Sequence, residues 1–230
     1  MRTPHILRFL VLLASALPPC VAEPVNTQLA SEATQRSYDR DGSRKGLVIL
    51  SVNWARKLGC GGFQNAALWE LSFDHLPTAK QKDDDIGDLV LEVPVRLSAR
   101  PEGADYALLV EPGEYALSFC SIKVARSESA VGYIRLGRRQ LISDGKVQGG
   151  SFTVAAGEAV YVGTFSLNCA PGPTLWRYYE EGRDNFRNKM AFVKKKYPFL
   201  EVDKVQFRLF RTTNFGNAYE LPPDEKKGPG

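Results

Sequence analysis

The stretch YALLVEPGEYALSFCSIKV, residues 106–124, decides the fold class of this chain. Residues 106–110 are an apolar run of strand length, and 111–114 carry the proline and glycine that β-turns favour. Side chains of residues 115–124 alternate between two faces, as they do along a half-buried strand. The stretch therefore predicts two β-strands separated by a tight turn.

Comparable runs lie on both sides of this stretch. The other runs that predict strands are 47–54, 66–73, 89–97, 131–136, 151–154 and 159–169, with a short piece around 140–142. Turn residues recur every 8–12 positions, which is typical of a β-sandwich. We therefore predict a mainly β, antiparallel sandwich.

The C-terminal third predicts a different kind of element. Phe186, Met190, Val193 and Tyr197 recur at helical spacing, which indicates one α-helix over about 184–197. Residues 202–212 then alternate as a closing strand. We expect one domain over 46–221, followed by a disordered tail at 222–230.

Two segments of the predicted sandwich have similar sequences. Residues 110–115, VEPGEY, and 154–161, VAAGEAVY, each place a Gly-Glu turn directly before an aromatic-bearing strand. This pattern resembles that of exported bacterial β-sandwich proteins of the transthyretin-like or peptidase-associated type, many of which are lipoproteins. The resemblance covers about residues 105–168 and implies an envelope protein with an accessory or structural role. It transfers no catalytic residue.

The N-terminus predicts export. Residues 1–22 combine Arg2 and Arg8 with a short apolar run and small residues before Glu23, the pattern of a signal peptide. Residues 23–45 are polar and aperiodic, so we expect a disordered leader. The protein is then periplasmic or secreted. Cleavage before Cys20 is the alternative, and it would give a membrane-anchored lipoprotein.

Composition excludes several classes of function. The chain has a net charge of +4, and Arg2 and Arg8 supply two of those charges, so a net of +2 remains after export. This is not the charge of a nucleic-acid-binding protein. One histidine beyond the signal peptide and three dispersed cysteines form no metal pattern, and we expect no metal and no cofactor. An envelope protein or a polysaccharide is the expected partner.

The cysteines beyond residue 22 leave the disulfide pairing open. Cys120 and Cys169 lie on strands that follow the two similar turns, so they pair if those strands are neighbours. Cys60 lies in the glycine-rich loop 58–63 and is then the free thiol. A pairing that involves Cys60 is the alternative.

These observations favour a non-catalytic accessory, structural or binding module. One alternative is a hydrolase that uses Cys60 or His75, although neither has a recognisable partner residue in the sequence. Another is a glycan-binding module that uses Trp176, Tyr178 and Tyr179, provided these aromatic side chains are exposed rather than packed under the helix.

Overall fold

The structure, a computed structural model, describes residues 31–78, 80–83, 85–94, 102–144, 146–170 and 172–223. The predicted signal peptide, Cys20 and residues 23–30 of the predicted leader lie outside these residues. So does the predicted tail beyond Pro223.

The described chain is mainly β, with 46% strand and 15% helix. Its α-helices are α1 (Gln35–Asp41), α2 (Arg138–Leu141) and α3 (Arg183–Lys196). The strands are β1 (Gly46–Asn53), β2 (Lys57–Cys60), β3 (Phe63–Leu76), β4 (Leu89–Glu92), β5 (Gly103–Val110), β6 (Gly113–Ala125), β7 (Val131–Leu136), β8 (Ile142–Ser143), β9 (Lys146–Val147), β10 (Ser151–Val154), β11 (Ala159–Asn168), β12 (Thr174–Tyr178) and β13 (Gln206–Phe207).

The strands form two large sheets and the small hairpin β8–β9. A five-stranded sheet has the order β12-β11-β1-β5, with β13 also paired to β11. A six-stranded sheet has the order β10-β6-β3-β2, with β4 paired to β3 and β7 paired to β6. Most pairs are antiparallel, as predicted, but β11 runs parallel to both β1 and β13.

Both large sheets contribute to one hydrophobic core. Val48, Leu108 and Phe165 come from the five-stranded sheet, and Leu68 and Phe73 come from the six-stranded sheet. All five side chains are fully buried. The alternation seen in the sequence therefore directs one face of each sheet into a common core.

Helix α3 covers the other face of the five-stranded sheet, where a second core cluster lies. Met190, Val193 and Tyr197 are buried there with Tyr161 of β11. The helix lies where the spacing of these residues predicts it. The sequence predicted this helix alone, whereas the described chain has three, because α1 and α2 are too short to show an apolar periodicity. No helix of the described residues is long and apolar enough to span a membrane.

The two similar turns join one sheet to the other rather than forming hairpins. Residues 111–112 connect β5 of the five-stranded sheet to β6 of the six-stranded sheet. Residues 155–158 connect β10 to β11 and return the chain to the five-stranded sheet. The repeated Gly-Glu pattern therefore marks two crossings between sheets.

The predicted disordered leader needs correction, because residues 31–45 are ordered. Thr34 and Ser37 form a reciprocal capping box at the start of α1. Ala33 is buried and donates its backbone N–H to the carbonyl of Ala107 at 2.7 Å. Few apolar residues make these contacts, so the polar composition hides them.

The predicted closing strand is also much shorter than expected. A 3₁₀ turn at Val202–Lys204 precedes the two-residue strand β13. Beyond β13, Phe210 and Arg211 still bond to the backbone of Val162 and Ser151. The segment therefore crosses from β11 to β10, and it cannot continue as a regular strand in one sheet.

Candidate functional site

A buried arginine on the edge strand β12 marks the candidate site. Leu175 and Arg177 are buried while Trp176 between them is half-buried, so the strand alternation directs the Arg177 side chain inward. Arg177 is only 2% exposed. Charged side chains are rarely buried to this extent without a partner.

Two glycines make room for this side chain. Ile49 pairs with Tyr161 and Ser51 with Thr164, so β11 carries one extra residue in a bulge that contains Gly163. Gly163 has φ +109°, and a Cβ there would come within 2.8 Å of the Arg177 Cδ. A Cβ on Gly216 would come within 3.2 Å of the Arg177 Nε. The backbone is thus shaped around the guanidinium.

The guanidinium is only partly satisfied. Its Nη2 donates to the carbonyl of Asn217 at 2.7 Å, and its face lies over the Tyr179 ring, 5.5 Å from the centroid. Nε and Nη1 are buried and have no hydrogen-bond partner in the described part of the chain. Burial also lowers the pKa of Arg177, although the group stays charged at neutral pH.

Arg177 lines a cavity of about 910 Å³ between β13, the start of α3 and the C-terminal segment 212–221. Among the described residues its lining holds one carboxylate, Glu220, and four arginines: Arg177, Arg183, Arg208 and Arg211. The cavity is therefore electropositive, and its volume is that of a small-molecule site.

The other three arginines differ from Arg177 in their contacts. Arg208 makes a two-pronged ion pair with Glu158, at 2.6 and 2.8 Å. Arg183 donates from Nε to the carbonyl of Pro222 at 2.6 Å. Arg211 is exposed. Among the described lining residues, Arg177 is thus the buried arginine whose donors lack partners.

The lining of the cavity also includes an aromatic wall. The rings of Phe186 and Phe207 meet edge to face at 5.2 Å, and Phe207 meets Tyr219 at 5.9 Å. All three line the cavity. They come from α3, β13 and the C-terminal segment, so the wall exists only in the folded chain.

The aromatic residues predicted as ligand contacts do not line this cavity. Tyr179 stacks on Tyr219 at 4.3 Å and is partly buried with the helix cluster. Tyr178 is 40% exposed, and its hydroxyl donates to the carbonyl of Leu167 at 3.2 Å. Trp176 is half-buried. Residues 174–178 form strand β12, which is not among the strands predicted from the sequence.

The predicted cysteine pairing is corrected by the structure. Cys60 and Cys169 form the disulfide, and Cys120 is the free cysteine. Cys120 lies on β6 and Cys169 follows β11, and these strands belong to different sheets. Cys120 is fully buried, which raises its pKa to about 12. Its thiol is therefore almost entirely protonated at neutral pH.

His75 lies in a second, smaller cavity of about 560 Å³. Its ring stacks on Tyr115 at 4.8 Å, and Nε2 is 3.1 Å from the carbonyl of Pro112. The nearby Asp88 carboxylate accepts from the His75 backbone N–H at 2.8 Å instead of orienting the ring. Among the described residues, the His75 ring is thus near a backbone carbonyl and is not oriented by the Asp88 carboxylate as the base of a nucleophilic triad would be.

A polar cluster under α3 brings Ser51, Asp105 and Lys189 together. Ser51 Oγ and Lys189 Nζ each donate to Asp105 Oδ1 at 2.5 Å. Lys196 also donates to the carbonyl of Asp105, at 2.6 Å. Because these groups satisfy one another, the cluster attaches the helix to the sheet.

Sequence reasoning missed Arg177, although a signal for it was present. The residue lies between two aromatics in 176–179, at the same strand parity as the buried Leu175. Its burial, however, depends on Gly163 and Gly216, which are distant in the sequence.

Comparison of the chain with protein-family models, curated proteins and solved structures finds no match.

Proposed function

We propose that this protein is an exported, non-catalytic binding module that takes an anionic ligand in the cavity at Arg177. The observation that carries the proposal is the buried guanidinium, whose Nε and Nη1 lack partners beside a cavity of about 910 Å³.

A buried hydrogen-bond donor that has no acceptor destabilises the folded protein. Leaving such a group unsatisfied costs about 1–3 kcal/mol, and more when the group is charged. A carboxylate or phosphate oxygen at these nitrogens forms short, charge-assisted bonds and removes that cost. Arg211 adds positive charge nearby, and only Glu220 opposes it among the described lining residues.

Export belongs to the same proposal. The disulfide between Cys60 and Cys169 is consistent with an oxidising compartment, and the signal-like residues 1–22 agree with it. We also propose that the two large sheets stack as a sandwich, in line with the resemblance to envelope β-sandwich proteins. Their shared core cluster supports this arrangement.

A thiol hydrolase built on Cys60 receives no support, because the Cys60 sulfur is bonded to that of Cys169. A soluble exported form and a form lipidated at Cys20 both remain compatible with ligand binding. The cavity lies on the folded part of the chain in either case.

The test is calorimetric titration of the purified protein with inorganic phosphate and with acetate, in chloride buffers of equal ionic strength. Both anions should bind, and Arg177→Gln should weaken them about tenfold or more. The matched control is Arg139→Gln, which removes an exposed guanidinium outside both cavities.

A second variant protects the test if Arg177→Gln does not fold. Arg211→Gln removes an exposed cavity arginine and should weaken the same anions roughly twofold to fivefold. Equal affinity in the wild type, Arg177→Gln and Arg211→Gln would overturn the proposal, as would the absence of any binding.

A further inference from the structure

We infer that the ligand is an amphiphile with a single carboxylate or phosphate head and an apolar body. The head binds Arg177, and the body lies along the aromatic wall formed by Phe186, Phe207 and Tyr219. This inference rests on the proposed function, because it names the class of anion that the same cavity takes.

The aromatic wall is connected to the Arg177 guanidinium through the ring of Tyr179. The Arg177 guanidinium lies 5.5 Å from the Tyr179 ring, and Tyr179 stacks on Tyr219 at 4.3 Å. Tyr219 contacts Phe207, which contacts Phe186. A ligand body that extends from Arg177 along Tyr219, Phe207 and Phe186 therefore meets aromatic carbon.

The cavity has buried donors without partners for one anionic head group. Arg208 is engaged by both oxygens of Glu158, and Arg183 donates to the carbonyl of Pro222. Arg211 is exposed, so an anion there stays in contact with water. Among the described lining residues, Arg177 is the arginine whose buried donors lack partners, and a polyanion would leave its remaining charges without such a donor.

Apolar side chains also form part of the remaining cavity lining. The apolar residues that line the cavity besides the aromatic wall include Val147, Val205, Leu209, Phe210, Ala218 and Leu221. Sites of this size hold small molecules by an apolar lining and a few placed polar groups. The polar residues Gln148, Ser151, Gln206, Thr212 and Thr213 also line the cavity, so the preference for an apolar ligand body rests on the aromatic wall.

The experiment measures affinity along a homologous series. Hexanoate, octanoate and decanoate, below their micellar concentrations, are titrated into the full protein beside octyl phosphate and inorganic phosphate. Affinity should rise by up to about fourfold per methylene while the chain contacts the wall. The tighter of octanoate and octyl phosphate identifies the head group.

Octanol serves as the neutral amphiphile in the same titration. Octanol should bind at least tenfold more weakly than octanoate, and Arg177→Gln should abolish most of that difference. Equal binding of octanol and octanoate would overturn the inference, because the head would then contribute nothing.

Two matched variants on one helix test the wall. Phe186→Leu should reduce decanoate affinity about threefold or more and leave inorganic phosphate unchanged. Phe192→Leu is the control, because Phe192 lies on α3, is 62% exposed and lines neither cavity. A thermal melt confirms that both variants are folded.

The outcomes separate the two proposals. Inorganic phosphate that binds through Arg177, with a flat alkyl series, would overturn the amphiphile and keep the anion site. A failure of every anion to bind would overturn both.

Discussion

At the level of single residues, two buried arginines differ in how far their guanidinium groups are hydrogen-bonded. Arg138 is 2% exposed, like Arg177, but all of its nitrogens have partners. Its Nε and Nη2 donate to the two oxygens of the buried Asp74, and Nη1 and Nη2 donate to the carbonyls of Lys82 and Asp85. Arg177 lacks such partners for two nitrogens.

Arg138→Ala should therefore be strongly destabilising. The substitution leaves the Asp74 carboxylate buried without its counter-ion. The carbonyls of Lys82 and Asp85 also lose their hydrogen bonds from Arg138. We expect the free energy of unfolding to fall by about 3–5 kcal/mol, as measured by urea denaturation. Arg139→Ala, at the exposed neighbouring position, should change it by less than about 1 kcal/mol. Equal effects of the two substitutions would contradict this account.

At the scale of elements, one ion pair attaches the segment around β13 to the turn between β10 and β11. Arg208 follows the short strand β13, and Glu158 lies in the turn between β10 and β11. Burial alone would raise the pKa of Glu158, but hydrogen bonds from Arg208 and from the Ala155 N–H, with the charge of Arg208, lower it below its usual range. The pair holds the segment that forms one side of the cavity.

This lowered pKa predicts how stability depends on pH. Folding favours the ionised Glu158, so its contribution is present above the pKa of the unfolded chain and is lost as the pH falls through the folded pKa. Glu158→Gln should therefore flatten the decline in urea midpoint between about pH 5 and pH 3. Glu128→Gln, an exposed control, should keep the wild-type slope. An unchanged slope in Glu158→Gln would show that the pair does not stabilise the fold.

At the scale of the whole molecule, the disulfide links the two sheets. Cys60 ends β2 in the six-stranded sheet, and Cys169 follows β11 in the five-stranded sheet, 109 residues later. A cross-link of this span mainly restricts the unfolded chain. It also closes the sheets together at the end where the glycine-rich loop lies.

Reduction should lower the free energy of unfolding by about 4–5 kcal/mol on the chain-entropy model. The measurement is urea denaturation with and without dithiothreitol, and the double variant Cys60→Ala/Cys169→Ala should match the reduced protein. Cys120 is the internal check. Alkylation should miss it in the native, unreduced protein and label it after unfolding, whereas labelling of Cys60 before reduction would contradict the pairing.

Local periodicity predicts much of the secondary structure. The run at 151–154 coincides with β10, those at 47–54 and 159–169 match β1 and β11 within one residue, and the helical spacing around Met190 matches α3. Each of these elements buries one continuous face, and the residues of that face lie close together in the sequence. The mainly β class follows from them.

The tertiary structure alone decided the cysteine pairing, the ordering of residues 31–45 and the site. Alternation says which face of a strand is buried, but it does not say which strands are neighbours, so the sequence favoured Cys120 over Cys60 as the partner of Cys169. Arg177 becomes a site only where Gly163, Asn217 and the rings of α3 and β13 converge on it. Those contacts join segments far apart in the chain, and long-range packing, which periodicity does not encode, brings them together.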